Sequence, residues 1–216
     1  MPTYTLGRLV EHDPRARNYV ATVDKPRTVS WEHDAPVLDQ GNVGSCTGNA
    51  LAQWLNTNHG LVRPGPGGFL VEDDALTLYR LATRLDSFPG QYPPTDTGSS
   101  GAAVCKAGKK LGYLSSYRWT FSFMSFLGAL AKSPVIVGTE WYEGMFEPNP
   151  HGFIRPTGEV AGGHEYLILG CDVDQKTVTL LNSWGDQWGK GGRAHISWAD
   201  MALLLRRQGD VKVPIV

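Results

Sequence analysis

The apolar pattern changes character once along this chain, and that single change limits the folds open to it. Up to about residue 132 apolar residues recur at helical spacing; from Pro134 onward they gather in short Val-, Ile- and Leu-rich runs. Leu51, Trp54, Leu55 and Asn58 fall at i, i+3, i+4 and i+7, a helix that Gly60 and Pro64 should end. A second helix is expected from Asp73 and Asp74 to about Arg84, and a third from Ser100 to Leu111. A fourth runs from Ser122 to Lys132, with Phe123, Phe126, Leu127 and Leu130 along one side. The strand-like runs are Pro134–Trp141, Glu165–Cys171, Thr177–Asn182 and Arg193–Trp198. Helices followed by strands argue for an α+β fold and against alternating βαβ units. Residues 1 to 30 are polar, carry prolines at 2, 14 and 26, and read as an extended arm; 63 to 68 read as a loop.

The bulk numbers remove several function classes. Lys and Arg total 20 and Asp and Glu 21, which leaves no electrostatic footprint for nucleic acid. No apolar run reaches the roughly 18–20 residues of a membrane span, and Met1 to Gly7 lacks the pattern of a signal peptide. The expected location is cytoplasmic, or carried in a virion. Three cysteines, Cys46, Cys105 and Cys171, exclude a disulfide scaffold. With no CxxC and no His pair at helical spacing, no metal site and no cofactor are expected. The segment 185–191 has the wrong spacing for a phosphate loop.

One of the three thiols stands out. Cys46 follows a turn, 40–45, and opens the first helix, where free N–H groups and the positive dipole end favour a thiolate. The Gln40 amide, six residues upstream, and the Cys46 N–H together suit an oxyanion hole. His164 follows Ala161-Gly162-Gly163, small residues that leave room for a substrate or a second lobe, and opens an expected strand. Asn182 ends the next strand, so adjacent antiparallel strands can set Asn182 beside His164 and fix its tautomer.

These motifs resemble those of papain-like cysteine peptidases. Gln40-Gly41, Gly44-Ser45-Cys46, Gly163-His164 and Asn182-Ser183-Trp184-Gly185 stand in the family's order, and Pro26, Val29, Ser30 and Trp31 resemble the start of the mature enzyme. Membership in peptidase family C1 implies a two-lobed papain-like fold. A helical lobe (about 46–120) and a β-barrel-like lobe (about 31–45 and 121–216) would flank the cleft. The resemblance implies a Cys46, His164, Asn182 triad with Gln40 in the oxyanion hole. Trp184 would shield the His164–Asn182 bond. Gly98, Ser100, Val137 and Gly138 would bind substrate. A polypeptide is the implied substrate, with no nucleic acid and no membrane as partner.

The departures point to a bacterial or phage-type member. Val43 stands where secreted members have a disulfide cysteine, and Thr47 where an aromatic is usual. His164 lies 118 residues after Cys46 and Asn182 lies 136 after, against roughly 130–150 for both in the family. The residues ahead of Pro26 are too few for a long inhibitory propeptide. Glu165, directly after the histidine, should point to the opposite strand face and be structural. Two rival functions remain. One is a structural or virion-assembly protein that keeps the fold. The other is an amidase or transferase using the same Cys–His chemistry.

Overall fold

The computed structural model describes residues 4–60 and 68–216. The loop expected over 63–68 and the helix stop at Pro64 therefore lie, Gly68 apart, outside the described residues. Helices α1 (Cys46–Leu55), α2 (Glu72–Ala82), α3 (Gly101–Lys110) and α4 (Phe123–Leu130) form where periodicity places them. Their ends follow ordinary capping chemistry. The Ser100 hydroxyl accepts from the Ala103 N–H and the Ser122 hydroxyl from the Ser125 N–H. Glu72, Asp73 and Asp74 crowd the first turn of α2, and Lys109 and Lys110 the last turn of α3, each matching the dipole.

Every residue of α1 is buried. It lies so close to α2 that a Cβ on Gly48 would sit 2.2 Å from the Ala75 carbonyl oxygen. The nucleophile candidate is thus fixed at the end of a helix that has no solvent face.

The strands form one antiparallel sheet. β2 (Ser116–Thr120), β7 (Asp210–Ile215), β3 (Val135–Tyr142), β4 (Val160–Asp172), β5 (Thr177–Leu181) and β6 (Arg193–Ser197) lie in that order, and β1 (Val29–Ser30) pairs with β4. Two apolar clusters use opposite faces of β4. Tyr166 and Ile168 join Phe126 and Leu127 of α4 and Met201 and Leu204 of α5 (Trp198–Arg206). Leu167 and Leu169 join Leu51 and Leu55 of α1, Leu78 of α2 and Val104 of α3. The period-2 alternation of a strand covered on both sides accounts for this division.

Five elements differ from the sequence reading. β4 begins at Val160, so His164 lies inside the strand and does not open it. The strand expected over Arg193–Trp198 stops at Ser197, which caps α5 through the Asp200 N–H. β2, α5 and β7 were not expected. β7 escapes a hydrophobicity scan because Asp210 and Lys212 are buried there, against the usual fate of charged residues.

Candidate active site

Gln40 reaches the site from the turn ahead of α1. Its N–H donates to the Ser183 carbonyl at 2.9 Å and its Oε1 accepts from the Ser183 hydroxyl at 2.7 Å. The turn is braced by Asp96, whose carboxylate accepts the Gly44 N–H at 2.7 Å. Asn49 ties the start of α1 back to Ser45 and across to Glu72. Cys46 is the first residue of α1 and is fully buried.

His164 and Asn182 meet because β4 and β5 are antiparallel neighbours, with Leu167 opposite Leu181. His164 Nε2 lies 2.7 Å from Asn182 Oδ1, which also accepts the Ser183 N–H at 2.8 Å. The other ring nitrogen, Nδ1, is buried with no hydrogen-bond partner among the described residues. Trp184 stacks on the His164 ring at 4.8 Å between centroids, and Trp141 meets it edge-on at 4.7 Å. Cys46 adjoins this group, since the N–H of Glu165, the residue after His164, is directed at the sulfur.

The whole-chain comparisons agree with this arrangement at the level of the fold. No protein-family model matches the sequence, and no curated protein matches it. Solved structures do. Xylellain, a cysteine protease from Xylella fastidiosa, superposes with a TM-score of 0.77 at 19% identity, covering 98% of this chain and 96% of that one. Digestive procathepsin L 3 of Tenebrio molitor larval midgut gives 0.64 at 17% identity, over 98% of this chain and 76% of that one. A Carica candamarcensis cysteine protease gives 0.58 at 16%, over 88% and 98%. The chain has a papain-like α+β fold. Its helical part and its antiparallel sheet correspond to those of these proteins.

In this papain-like fold the track past Cys46 is filled by the chain's own arm. Gln40 Nε2 donates to the Thr5 carbonyl at 3.1 Å and to the Val43 carbonyl at 2.9 Å. The Gly7 N–H is directed at the Cys46 sulfur. Gly7 and Arg8 donate to the Gly163 carbonyl at 3.2 and 3.0 Å, Ser99 donates to Gly7 at 2.8 Å, and Leu9 donates to Ser99 at 2.8 Å. Tyr4 stacks on Trp184 at 4.3 Å. The room left by the small residues ahead of His164 is thus taken up: a Cβ on Gly163 would lie 2.2 Å from the Arg8 carbonyl oxygen. The arm covers the nucleophile.

The electrostatics follow from that cover. Burial pushes the Cys46 thiol up to about 12, against the pull of the Glu165 and Gly7 N–H groups. Burial also pushes His164 down to about 4, opposed by Asn182. Thiol and imidazole are both neutral with the arm in place, and not the ion pair that the helix terminus alone suggests. Cys105 is likewise raised to about 12 by burial; Cys171 is raised by the same cause, and all three thiols are free.

The other expected positions divide. Gly98 has φ +72, and its N–H donates to the Tyr79 hydroxyl at 2.9 Å; a Cβ there would stand 2.4 Å from the Gly7 carbonyl oxygen. Ser100 caps α3 and donates its hydroxyl hydrogen to Glu11 of the arm. Val137 is buried in the apolar core, while Gly138, next along β3, faces a cluster of buried charge. That cluster escaped the sequence reading. It comprises Arg8, Glu165, Asp210 and Lys212, and its only sequence signal was the unusual acid after His164. Glu165 does point away from the His164 ring, as strand alternation requires, but into this cluster.

Proposed function

We propose that the chain is a cysteine endopeptidase, a peptidase C1-like enzyme of the bacterial or phage type. The observation that carries this reading is the His164–Asn182 bond of 2.7 Å under the Trp184 stack, with the Cys46 sulfur lying against the next residue's N–H. Asn182 accepts from Nε2 and so leaves Nδ1 as the lone-pair nitrogen, free to take the thiol proton once the arm withdraws. Cys46 then attacks the peptide carbonyl. The oxyanion receives hydrogen bonds from the Gln40 amide, now freed from Thr5, and from the Cys46 N–H. His164 protonates the leaving amine, and water activated by the same ring releases the acyl group from sulfur. Trp184 keeps solvent from the His164–Asn182 bond.

The arm-covered form is the resting form in this scheme, since its thiol and imidazole are neutral. A polypeptide is the substrate, as residues 5–9 of the arm already run past Gln40, Cys46 and Gly163 with their backbone hydrogen-bonded there. Among the described residues no helix is long and apolar enough to cross a membrane.

The test is a full-length preparation offered fluorogenic peptides and a thiol-directed epoxide, the inhibitor class of E-64, which the Carica protease binds. Hydrolysis that stops as the epoxide modifies Cys46 supports the reading. Labelling spread equally over the three cysteines, without hydrolysis, defeats it.

A further inference from the structure

We propose that the buried pocket holding Arg8 is the side-chain recognition pocket of the cleft, and that it selects arginine and lysine in the substrate. This rests on the peptidase reading above and names the substrate class for it.

Arg8 belongs to the arm segment that runs past Gln40, Cys46 and Gly163, so its side chain leaves the backbone where a bound polypeptide would also project one. The side chain is completely buried. Nη2 donates to the Gln208 carbonyl at 2.6 Å and to Asp210 Oδ2 at 3.1 Å. Lys212, equally buried, pairs with both Glu165 and Asp210.

Two glycines make the space. A Cβ on Gly138 would lie 2.4 Å from Glu165 Oε2, 2.6 Å from Arg8 Nε and 2.8 Å from Asp210 Oδ1. A Cβ on Gly101 would lie 2.0 Å from Lys212 Nζ and 2.3 Å from Glu165 Oε1. Any other residue at either position would fill the pocket.

The charge balance states what the pocket wants. The body supplies two carboxylates and one ammonium; Arg8 brings the second cation. Burial opposes the Asp210 charge, but Lys212 and Arg8 hold its carboxyl below the ordinary range. Burial raises Glu165 against the pull of Lys212. Arg8 is one of two cations on Asp210, and without it that buried carboxylate and the Gln208 carbonyl lose a donor, which is costly unless another long cation replaces it. A substrate must displace the arm to reach Cys46, and by doing so it empties this pocket. The side chain that then fits is a long cation.

The fit to Arg8 is also incomplete. Its Nε and Nη1, and Glu165 Oε2, are buried without hydrogen bonds among the described residues, while Glu165 Oε1 is taken by Lys212. An arginine or lysine on a different backbone has unused donors and acceptors to engage, so an incoming substrate can outcompete the arm.

The first experiment needs no turnover. Full-length Arg8→Ala is heated with propylguanidinium, and in parallel with N-propylurea, its uncharged isostere. The expected result is a rise in the unfolding midpoint with the cation alone, absent from the wild type and from Arg8→Ala/Asp210→Asn. Glu165→Gln replaces the second change if Asp210→Asn does not fold. An equal response to the urea, or a response that ignores the carboxylates, overturns the cation pocket.

The second experiment scans Arg, Lys, norleucine and Glu through each position of a peptide library, again with full-length Arg8→Ala. A preference of roughly tenfold or more for Arg or Lys at one position, lost in Asp210→Asn, is expected. Hydrolysis with an apolar preference at every position overturns the substrate class and leaves the peptidase reading intact. No hydrolysis and no Cys46 labelling defeat the peptidase reading, whatever the first experiment gives.

Discussion

His164 and Glu165 are consecutive residues of β4 that live in opposite environments. His164 faces aromatic rings and Asn182; Glu165 faces Lys212, Asp210 and the guanidinium of Arg8. Most groups around the histidine come from the body of the fold, and only the outer ring of the stack, Tyr4, is lent by the arm. On the other face the arm supplies one of four charges. The first environment is built to stay, and the second is built around a removable occupant. In the reading proposed above, one strand carries chemistry on one side and selection on the other, separated by a single peptide unit.

The strongest way to break the comparison is to remove the chemistry. Cys46→Ala is expected to abolish hydrolysis while the unfolding midpoint stays close to wild type, read by a peptide assay and calorimetry on the same preparation. His164→Ala should cost on the order of 10²–10⁴ in kcat/KM, the usual worth of a general acid–base group. Asn182→Ala should cost less, because the imidazole remains and only its tautomer and orientation are released. An Asn182→Ala enzyme as fast as wild type removes that residue from the mechanism.

The charged face should respond in stability. Lys212→Met leaves Glu165 and Asp210 buried with Arg8 as their only cation. The expected loss is about 3–5 kcal/mol in urea unfolding, the range for breaking a buried ion pair by removing one partner. Arg8→Ala should cost less, because the arm can lift and let water reach the carboxylates. If Arg8→Ala proved the more damaging, the arm would be an integral part of the core, and the contrast between the two faces would fail.

The chemical face was the more legible of the two in the sequence. Helix periodicity led to Cys46 at the start of α1, and strand order brought His164 beside Asn182, because both follow from local pattern. The charged face depends on contacts between residues about 200 positions apart, Arg8 with Asp210 and with the Gln208 carbonyl. No periodicity reports such contacts. Lys212 and Asp210 also inverted the pattern of β7, since a strand whose charged residues are inside reads as a polar tail. The pairing of Gly138 with Val137 as pocket residues shows the same limit. Adjacent strand residues face opposite ways, and only Gly138 meets the ion cluster.

The smallest expected effect is the most specific to the arm, and it concerns pH. With the arm in place, burial holds the Cys46 thiol at about 12. The thiolate is the alkylated species, and below its pKa the thiolate fraction rises tenfold for each pH unit. Iodoacetamide labelling of Cys46 in the full-length protein should therefore climb steadily from pH 6 to 10 with no plateau. Arg8→Ala loosens the arm at the charged face, one residue from Gly7, whose N–H is directed at the sulfur. The Gly7 N–H contact would be lost, which disfavours the thiolate, but so would the burial that is the larger influence. The balance predicts a lower midpoint and a plateau within the measured range. Cys171, whose thiol is set by burial, Trp198 and Asp172, serves as the internal control, so its profile should not change. Identical Cys46 profiles in the two proteins would mean that the arm does not govern the thiol, and that the faces of β4 act independently.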